Sequence, residues 1–172
     1  MSNGRYGFTA RYRMRVRARD IKKGVSMRYY ETHSIRMGVS YSSDALYLRT
    51  SADFVSSDYK GRDTGWLLSQ TACYRYRRMR LDMSMVYFDT DSYESRLYAY
   101  EKGLLYGFSS FMCYGKGMRG TLISRVDISD KIMVMAKIGY TAYFDRSSIG
   151  SGLQMIDASS MTDTELQVRM RF

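Results

Sequence analysis

The chain has 172 residues, with 27 Lys and Arg against 17 Asp and Glu for a formal charge of +10, a length that fits one domain. With a mean hydropathy of −0.40 and no apolar run of about 18 residues, a transmembrane helix is excluded, but a membrane barrel is not, because alternating strands average out. The two cysteines, Cys73 and Cys113, form no CxxC, so neither a metal nor a redox motif is present, and they read as two unrelated thiols.

The first long stretch, Arg5 to Arg19, sets the pattern. Alternate positions read Tyr6, Phe8, Ala10, Tyr12, Met14, Val16 and Ala18. The positions between them read Arg5, Gly7, Thr9, Arg11, Arg13, Arg15, Arg17 and Arg19. Successive side chains of a strand point to opposite faces, so this rhythm predicts a β-strand; on a helix the arginines would scatter around every side. A tilted strand needs roughly 9–11 residues to cross a bilayer, and this one is long enough.

After a charged turn at Asp20 to Gly24, a second strand runs to Tyr41. It carries Val25, Met27, Tyr29, Ile35, Met37, Val39 and Tyr41 opposite Arg28, Thr32, Ser34, Arg36 and Ser40, with Glu31 and His33 interrupting the apolar set. A tight turn at Ser42 to Ala45 leads to Leu46, Leu48, Ala52 and Phe54 against Tyr47, Arg49, Ser51 and Asp53. A polar loop, Ser56 to Asp63, precedes Trp66, Leu68, Ala72, Tyr74 and Tyr76 against Ser69, Thr71, Cys73, Arg75 and Arg77; Gln70 is a mismatch on the apolar side. The chain reverses near Arg77 and Arg78 into Met79, Leu81, Met83, Met85 and Tyr87 against Arg80, Asp82 and Ser84. Asp89 to Gly117 alternates poorly and reads as a long folded loop containing a short hairpin.

The sixth strand, Met118 to Val126, has Arg119, Thr121 and Arg125 on its polar side and is weakened by Ile123 and Ser124 on the wrong faces. Beyond the turn Asp127 to Lys131 come Ile132, Val134, Ala136, Ile138, Tyr140, Ala142 and Phe144 against Lys137, Gly139, Thr141 and Tyr143. A Gly/Ser-rich loop, Asp145 to Asp163, precedes the last strand, with Leu166, Val168, Met170 and Phe172 against Glu165, Gln167, Arg169 and Arg171.

Connections after even strands are short and those after odd strands are longer, which is how bacterial barrels sort their loops. The expected fold is therefore an all-β, antiparallel, up-and-down transmembrane barrel of about eight strands, or an eight-strand portion of a larger one. Both termini would be periplasmic in a Gram-negative outer membrane. Tyr12, Met14, Val16, Leu46, Leu48, Trp66, Leu81, Met83, Val134, Ile138, Leu166, Val168 and Phe172 would face lipid. The arginines at 11, 13, 15, 17, 36, 49, 75, 77, 80, 119, 125, 169 and 171 would line the interior. Tyr29, Tyr41, Tyr76, Tyr87 and Tyr143 fit an interfacial girdle. Met1 to Gly4 holds no apolar signal segment, so an exported chain has either lost one or is the tail of a longer precursor.

Three segments carry a resemblance: Arg96-Leu97-Tyr98-Ala99-Tyr100-Glu101, Leu104 to Ser109, and Tyr114 to Arg119. They resemble the C-terminal outer-membrane barrel region of Bacteroidota proteins described as helix-hairpin-helix domain-containing. The tail from Asp145 through Gly152 and Ile156 to Phe172 is similar to their closing loop and strand. The resemblance implies location and fold. Nothing in this chain matches a helix-hairpin-helix, so no DNA binding is carried over.

Candidate chemistry is sparse. His33 is the single histidine and has no partners at catalytic or metal spacing. Asp89, Asp91 and Glu94 form an acidic loop cluster that reads as solvated rather than as a Ca²⁺ site. Tyr114-Gly115-Lys116-Gly117 is too short for a phosphate loop. The expectation is a non-enzymatic, structural or transport-related surface protein without cofactor or metal. Its partners would be outer-membrane lipid, the barrel-insertion machinery, and a missing N-terminal part or a partner protein. Eight strands enclose only enough room for side chains, so unpaired arginines need a wider lumen, water or loop acids. The alternative is a soluble basic sheet binding nucleic acid. It needs aromatics and arginines on one face, and here their parity differs.

Overall fold

Alternation of period two writes nearly the whole chain into strands. The computed structural model describes residues 4–22, 26–59, 61–150 and 152–172; expectations placed on residues 1–3, 23–25, 60 and 151 lie outside these. Ten strands occur among the described residues: β1 (Arg5–Lys22), β2 (Ser26–Ser42), β3 (Leu46–Ser57), β4 (Asp63–Tyr76), β5 (Met79–Thr90), β6 (Leu97–Lys102), β7 (Phe108–Cys113), β8 (Lys116–Asp127), β9 (Ile132–Tyr143) and β10 (Ser160–Met170). Eight of them form one antiparallel sheet in the order β1-β2-β3-β4-β5-β8-β9-β10, and β6 pairs with β7 as a separate hairpin. The expected meander of eight strands is present. Closure is not: no pairing of β1 with β10 occurs among the described residues, so the sheet is open at both edges.

Several boundaries differ from the sequence reading. The pairing of β1 with β2 runs on past Asp20 to Lys22 and Ser26, beyond Thr32–Ser57 where β3 stops, because two strands can ladder as a ribbon without a third. β10 begins at Ser160, so Asp163 lies in the sheet opposite Gly139 rather than in the loop. A Cβ at position 139 would stand 2.6 Å from Asp163 Oδ2 and 2.7 Å from Arg119 Nη2; glycine leaves the room in which those two groups meet. Arg77 lies in the β4–β5 turn at φ 49, its guanidinium over the Tyr76 ring, and not on the inner strand face.

Arg5 lies opposite Ser42, and Met170 opposite Ile132, so both ends of the sheet strands sit at the short-turn end, beside the turns of residues 43–45 and 128–131. The long connection from β5 to β8 leaves from the other end. It opens with a 3-10 turn at Tyr93–Ser95, capped by the Ser92 hydroxyl accepting from the Glu94 amide, and then folds back as the β6–β7 hairpin.

The hairpin lies against the concave face of the sheet. Leu97, Ala99 and Cys113 pack with Val55, Leu67, Val86 and Phe88, and Phe111 and Tyr143 lean on that cluster. Near the hairpin tip, Leu104 and Leu105 pack on Ile123, Met133 and Met135. All of these sheet residues have the parity of the arginines. The convex face carries the opposite set: Phe54, Trp66, Leu68, Met83, Met85, Ile138, Tyr140, Leu166 and Val168 are exposed. The inner face thus buries ion pairs beside two apolar clusters, while the outer face leaves large apolar side chains exposed, the reverse of the outer face of an ordinary water-soluble sheet.

Phe88 is fully buried, with its ring 6.0 Å from that of Phe111 and 5.9 Å from that of Tyr143. Truncating such a side chain leaves a cavity between sheet and hairpin. Phe88→Ala is expected to lower stability by about 3–5 kcal/mol in a denaturant titration. A loss under about 1 kcal/mol would mean that the hairpin does not press on the sheet.

Candidate functional site: a plugged, arginine-lined concavity

Alternation decides which side chains enter the concavity, and the hairpin decides what they meet there. Glu101, near the end of β6, is buried and stands between two buried cations of the sheet. Arg119 donates from Nε to Glu101 Oε2 at 2.5 Å and from Nη2 to Oε1 at 3.0 Å. Lys137 Nζ lies 2.7 Å from the same carboxylate and 3.2 Å from Glu165. Arg119 also donates to Thr141 Oγ1 at 2.7 Å and to Asp163 Oδ1 at 2.8 Å, with Phe111 beneath its guanidinium. Four elements (β6, β8, β9 and β10) are tied together by this cluster.

Two smaller pairs fasten the hairpin elsewhere. Asp82 accepts from Arg80 at 2.9 and 3.1 Å and from Lys102 at 2.6 Å. Arg36 pairs with Asp53 and donates to the Tyr98 carbonyl at 3.3 Å. At the tip, the Leu105 amide donates to Gln167 Oε1 at 2.9 Å. The hairpin is thus bonded to inner-face residues from β2 round to β10 and acts as a plug.

The expected interior arginines divide into groups. Arg119 is buried in the cluster, and Arg36 and Arg80 are half-buried and paired at the plug. Arg125 pairs with Asp127 at 3.1 Å. Arg49 and Arg169 are half-buried, Arg75 and Arg171 are exposed, and no ion pair involves any of these four among the described residues. Arg11, Arg13, Arg15 and Arg17 share the inner side of β1 and are all exposed. They face a cleft of about 230 Å³ whose other wall is Arg96, Leu97 and Tyr98 of the plug.

The side chains expected to face lipid lie on the convex face. Tyr12, Met14, Val16, Trp66, Met83, Ile138, Leu166, Val168 and Phe172 are exposed, and Leu46, Leu48, Leu81 and Val134 are half-exposed there. The Gln70 mismatch is answered across the strand pair, where Thr50 Oγ1 donates to Gln70 Oε1 at 2.5 Å. His33 is paired likewise: its Nδ1 is 2.7 Å from the Tyr12 hydroxyl, and Glu31 is 3.4 Å from its Nε2. Tyr143 points inward, against Phe88 and under Arg146, and so leaves the expected girdle. Of the acidic loop cluster, Asp89 pairs with Lys116 at 3.1 Å and Asp91 accepts from the Thr64 amide and hydroxyl. No group of potential ligands able to hold a metal occurs among the described residues.

Sequence reasoning missed the plug residues Glu101, Lys102 and Arg96, and the inward Asp163. A signal was available: Leu67, Val86, Phe88, Ile123, Met133 and Met135 are apolar residues on the arginine parity. Each marks a place where the inner face is dry because the hairpin covers it.

Burial disfavours the charge of Glu101, but hydrogen bonds from Arg119 and Lys137 outweigh it and hold its pKa below the ordinary value of 4.5. The Cys113 thiol, buried between the same hairpin and the sheet, is pushed up to about 12 by desolvation. No family model, curated protein or solved structure matches the chain.

A carboxylate with a depressed folded pKa contributes stability above its unfolded pKa and loses it as pH falls through the folded value. Amide exchange over residues 97–113 is therefore expected to be slow near neutrality and to accelerate below pH 4.5. Glu101→Gln removes the shared partner of two buried cations and should cost about 3–5 kcal/mol at neutral pH. It should also flatten that acid response. Unchanged exchange in the variant would show that this cluster does not hold the plug.

Proposed function

We propose that the chain is the plugged part of an outer-membrane β-barrel, non-enzymatic and structural or transport-related, with its convex face in lipid and its arginine face bordering water. The single observation that carries this reading is the sorting of the sheet: buried ion clusters on the concave side and a predominantly apolar, exposed convex side. Exposed apolar area on this scale marks a membrane or partner contact rather than a solvated surface.

Convex aromatics support it. Trp66 stacks on Tyr87 at 5.3 Å and Tyr87 meets Phe144 at 6.2 Å, all near the long-connection end. Tyr6 and Tyr41, 5.1 Å apart, lie with Tyr74 and Tyr76 near the short-turn end. Trp66 and Tyr76 are ten positions apart on β4, about 33 Å along the strand at ~3.3 Å per residue and about 25 Å across the membrane at the ~40° tilt of barrel strands, which matches a lipid-facing band between two aromatic girdles.

Lipid does not tolerate open sheet edges, so β1 and β10 need strand partners there. An eight-stranded barrel has room inside for side chains, not for a two-stranded hairpin. The reading therefore includes a wider cylinder, completed by strands from a longer form of the chain or from a partner. The likeness to Bacteroidota barrel regions agrees with it, and the short-turn end would be periplasmic. Opposed parity of arginines and aromatics speaks against the nucleic-acid alternative.

The reading is tested on the convex face. Ile138 is 48% exposed, so Ile138→Arg on a sheet in water would change stability by no more than about 0.5 kcal/mol. In lipid it should cost about 2–4 kcal/mol near the bilayer middle, measured by denaturant unfolding from lipid vesicles. A neutral result would overturn the membrane placement.

A further inference from the structure

The concave face divides its cations unequally. Around the plug the buried cations have carboxylates. Arg11, Arg13, Arg15 and Arg17 take part in no ion pair among the described residues, although they form the densest positive row of the chain. They form one wall of the cleft, with Arg96 on the plug side and Arg36 on its floor. Of the carboxylates lining the cleft, Asp53 is held by Arg36, and Glu94 lies on the plug wall with Arg96. The acids of β10 do not answer the row either, since Asp163 and Glu165 are bonded to Arg119 and Lys137.

We propose that this cleft binds a ligand carrying several phosphoryl groups in a row. Same-face residues of a strand are about 6.6–6.8 Å apart, so the four guanidinium forks form a ladder roughly 20 Å long. Each fork can donate to two oxygens of one phosphoryl group and stays charged at any physiological pH. A terminal phosphoryl group brings more charge than a carboxylate, and linked phosphoryl groups stand closer together than the rungs, so several flexible arginine arms converge on a short oligophosphate in the cleft. The site rests on the reading that this face borders water, and not on the lipid contact of the opposite face.

The test is calorimetric titration of the detergent-solubilised chain with inorganic tripolyphosphate and, separately, inorganic monophosphate, in about 0.15 M salt. Tripolyphosphate is expected to bind about tenfold or more tightly than monophosphate. The variant Arg11→Gln/Arg13→Gln/Arg15→Gln/Arg17→Gln should lose about tenfold or more of that affinity with its strand content unchanged by circular dichroism. Arg169→Gln/Arg171→Gln, which removes two inner-face charges away from the cleft, should stay within about twofold. Equal losses in both variants, or no preference for tripolyphosphate, overturn the site and leave the row to be neutralised by strands outside this chain. Micelles doped with phosphatidylglycerol compete with tripolyphosphate if the source is a lipid headgroup and do not if it is a soluble oligophosphate. A neutral Ile138→Arg would remove the membrane reading and leave this binding result standing.

Discussion

One carboxylate holds the architecture together. Glu101 sits on a hairpin that belongs to no strand of the main sheet, yet it faces Arg119 and Lys137, which are buried on two adjacent strands. Their other partners, Asp163 and Glu165, are more exposed, so Glu101 is the buried counter-charge of both cations. Asp163 and Glu165 then draw β10 into the same cluster. Curvature of the sheet, position of the plug and burial of charge are thus one constraint viewed from three sides.

That constraint also accounts for the open edges. A sheet wrapped around a hairpin has a larger radius than one wrapped around side chains alone, and eight strands at that radius do not meet. In the proposed membrane setting the remaining arc has to be filled by further strands, because unpaired backbone groups are not tolerated in hydrocarbon. The plug fills the part of the concavity nearest β4, β5, β8 and β9, and leaves the arginine side of β1 facing an open cleft. A passage alongside a plug is consistent with the transport-related role we propose.

Much of the fold was legible in residue order. Parity set Tyr12, Trp66, Ile138 and Val168 opposite Arg13, Arg75, Lys137 and Arg169, and burial separates Ile138, exposed, from Lys137, buried, in the same sense. The hairpin within 89–117 was legible as a break in rhythm flanked by glycines. Its destination was not, because nothing in a local pattern says whether a loop leaves the sheet or folds into it. The apolar residues at 67, 88, 123, 133 and 135 held that information as misplaced hydrophobicity. Arg77 was misassigned because parity fails within a turn, and Tyr143 because the girdle reading set aside its own place in the alternating set with Lys137, Gly139 and Thr141, which the structure follows.

By itself the sequence determined an all-β chain, its eight antiparallel sheet strands and the sorting of charge from hydrocarbon, because a two-residue period is a local property of the backbone. Tertiary structure alone decided that the sheet stays open, that a hairpin plugs it, and which arginines are paired. Those outcomes depend on contacts between residues far apart in the chain, such as Glu101 with Lys137 and Leu105 with Gln167, and no local spacing encodes them.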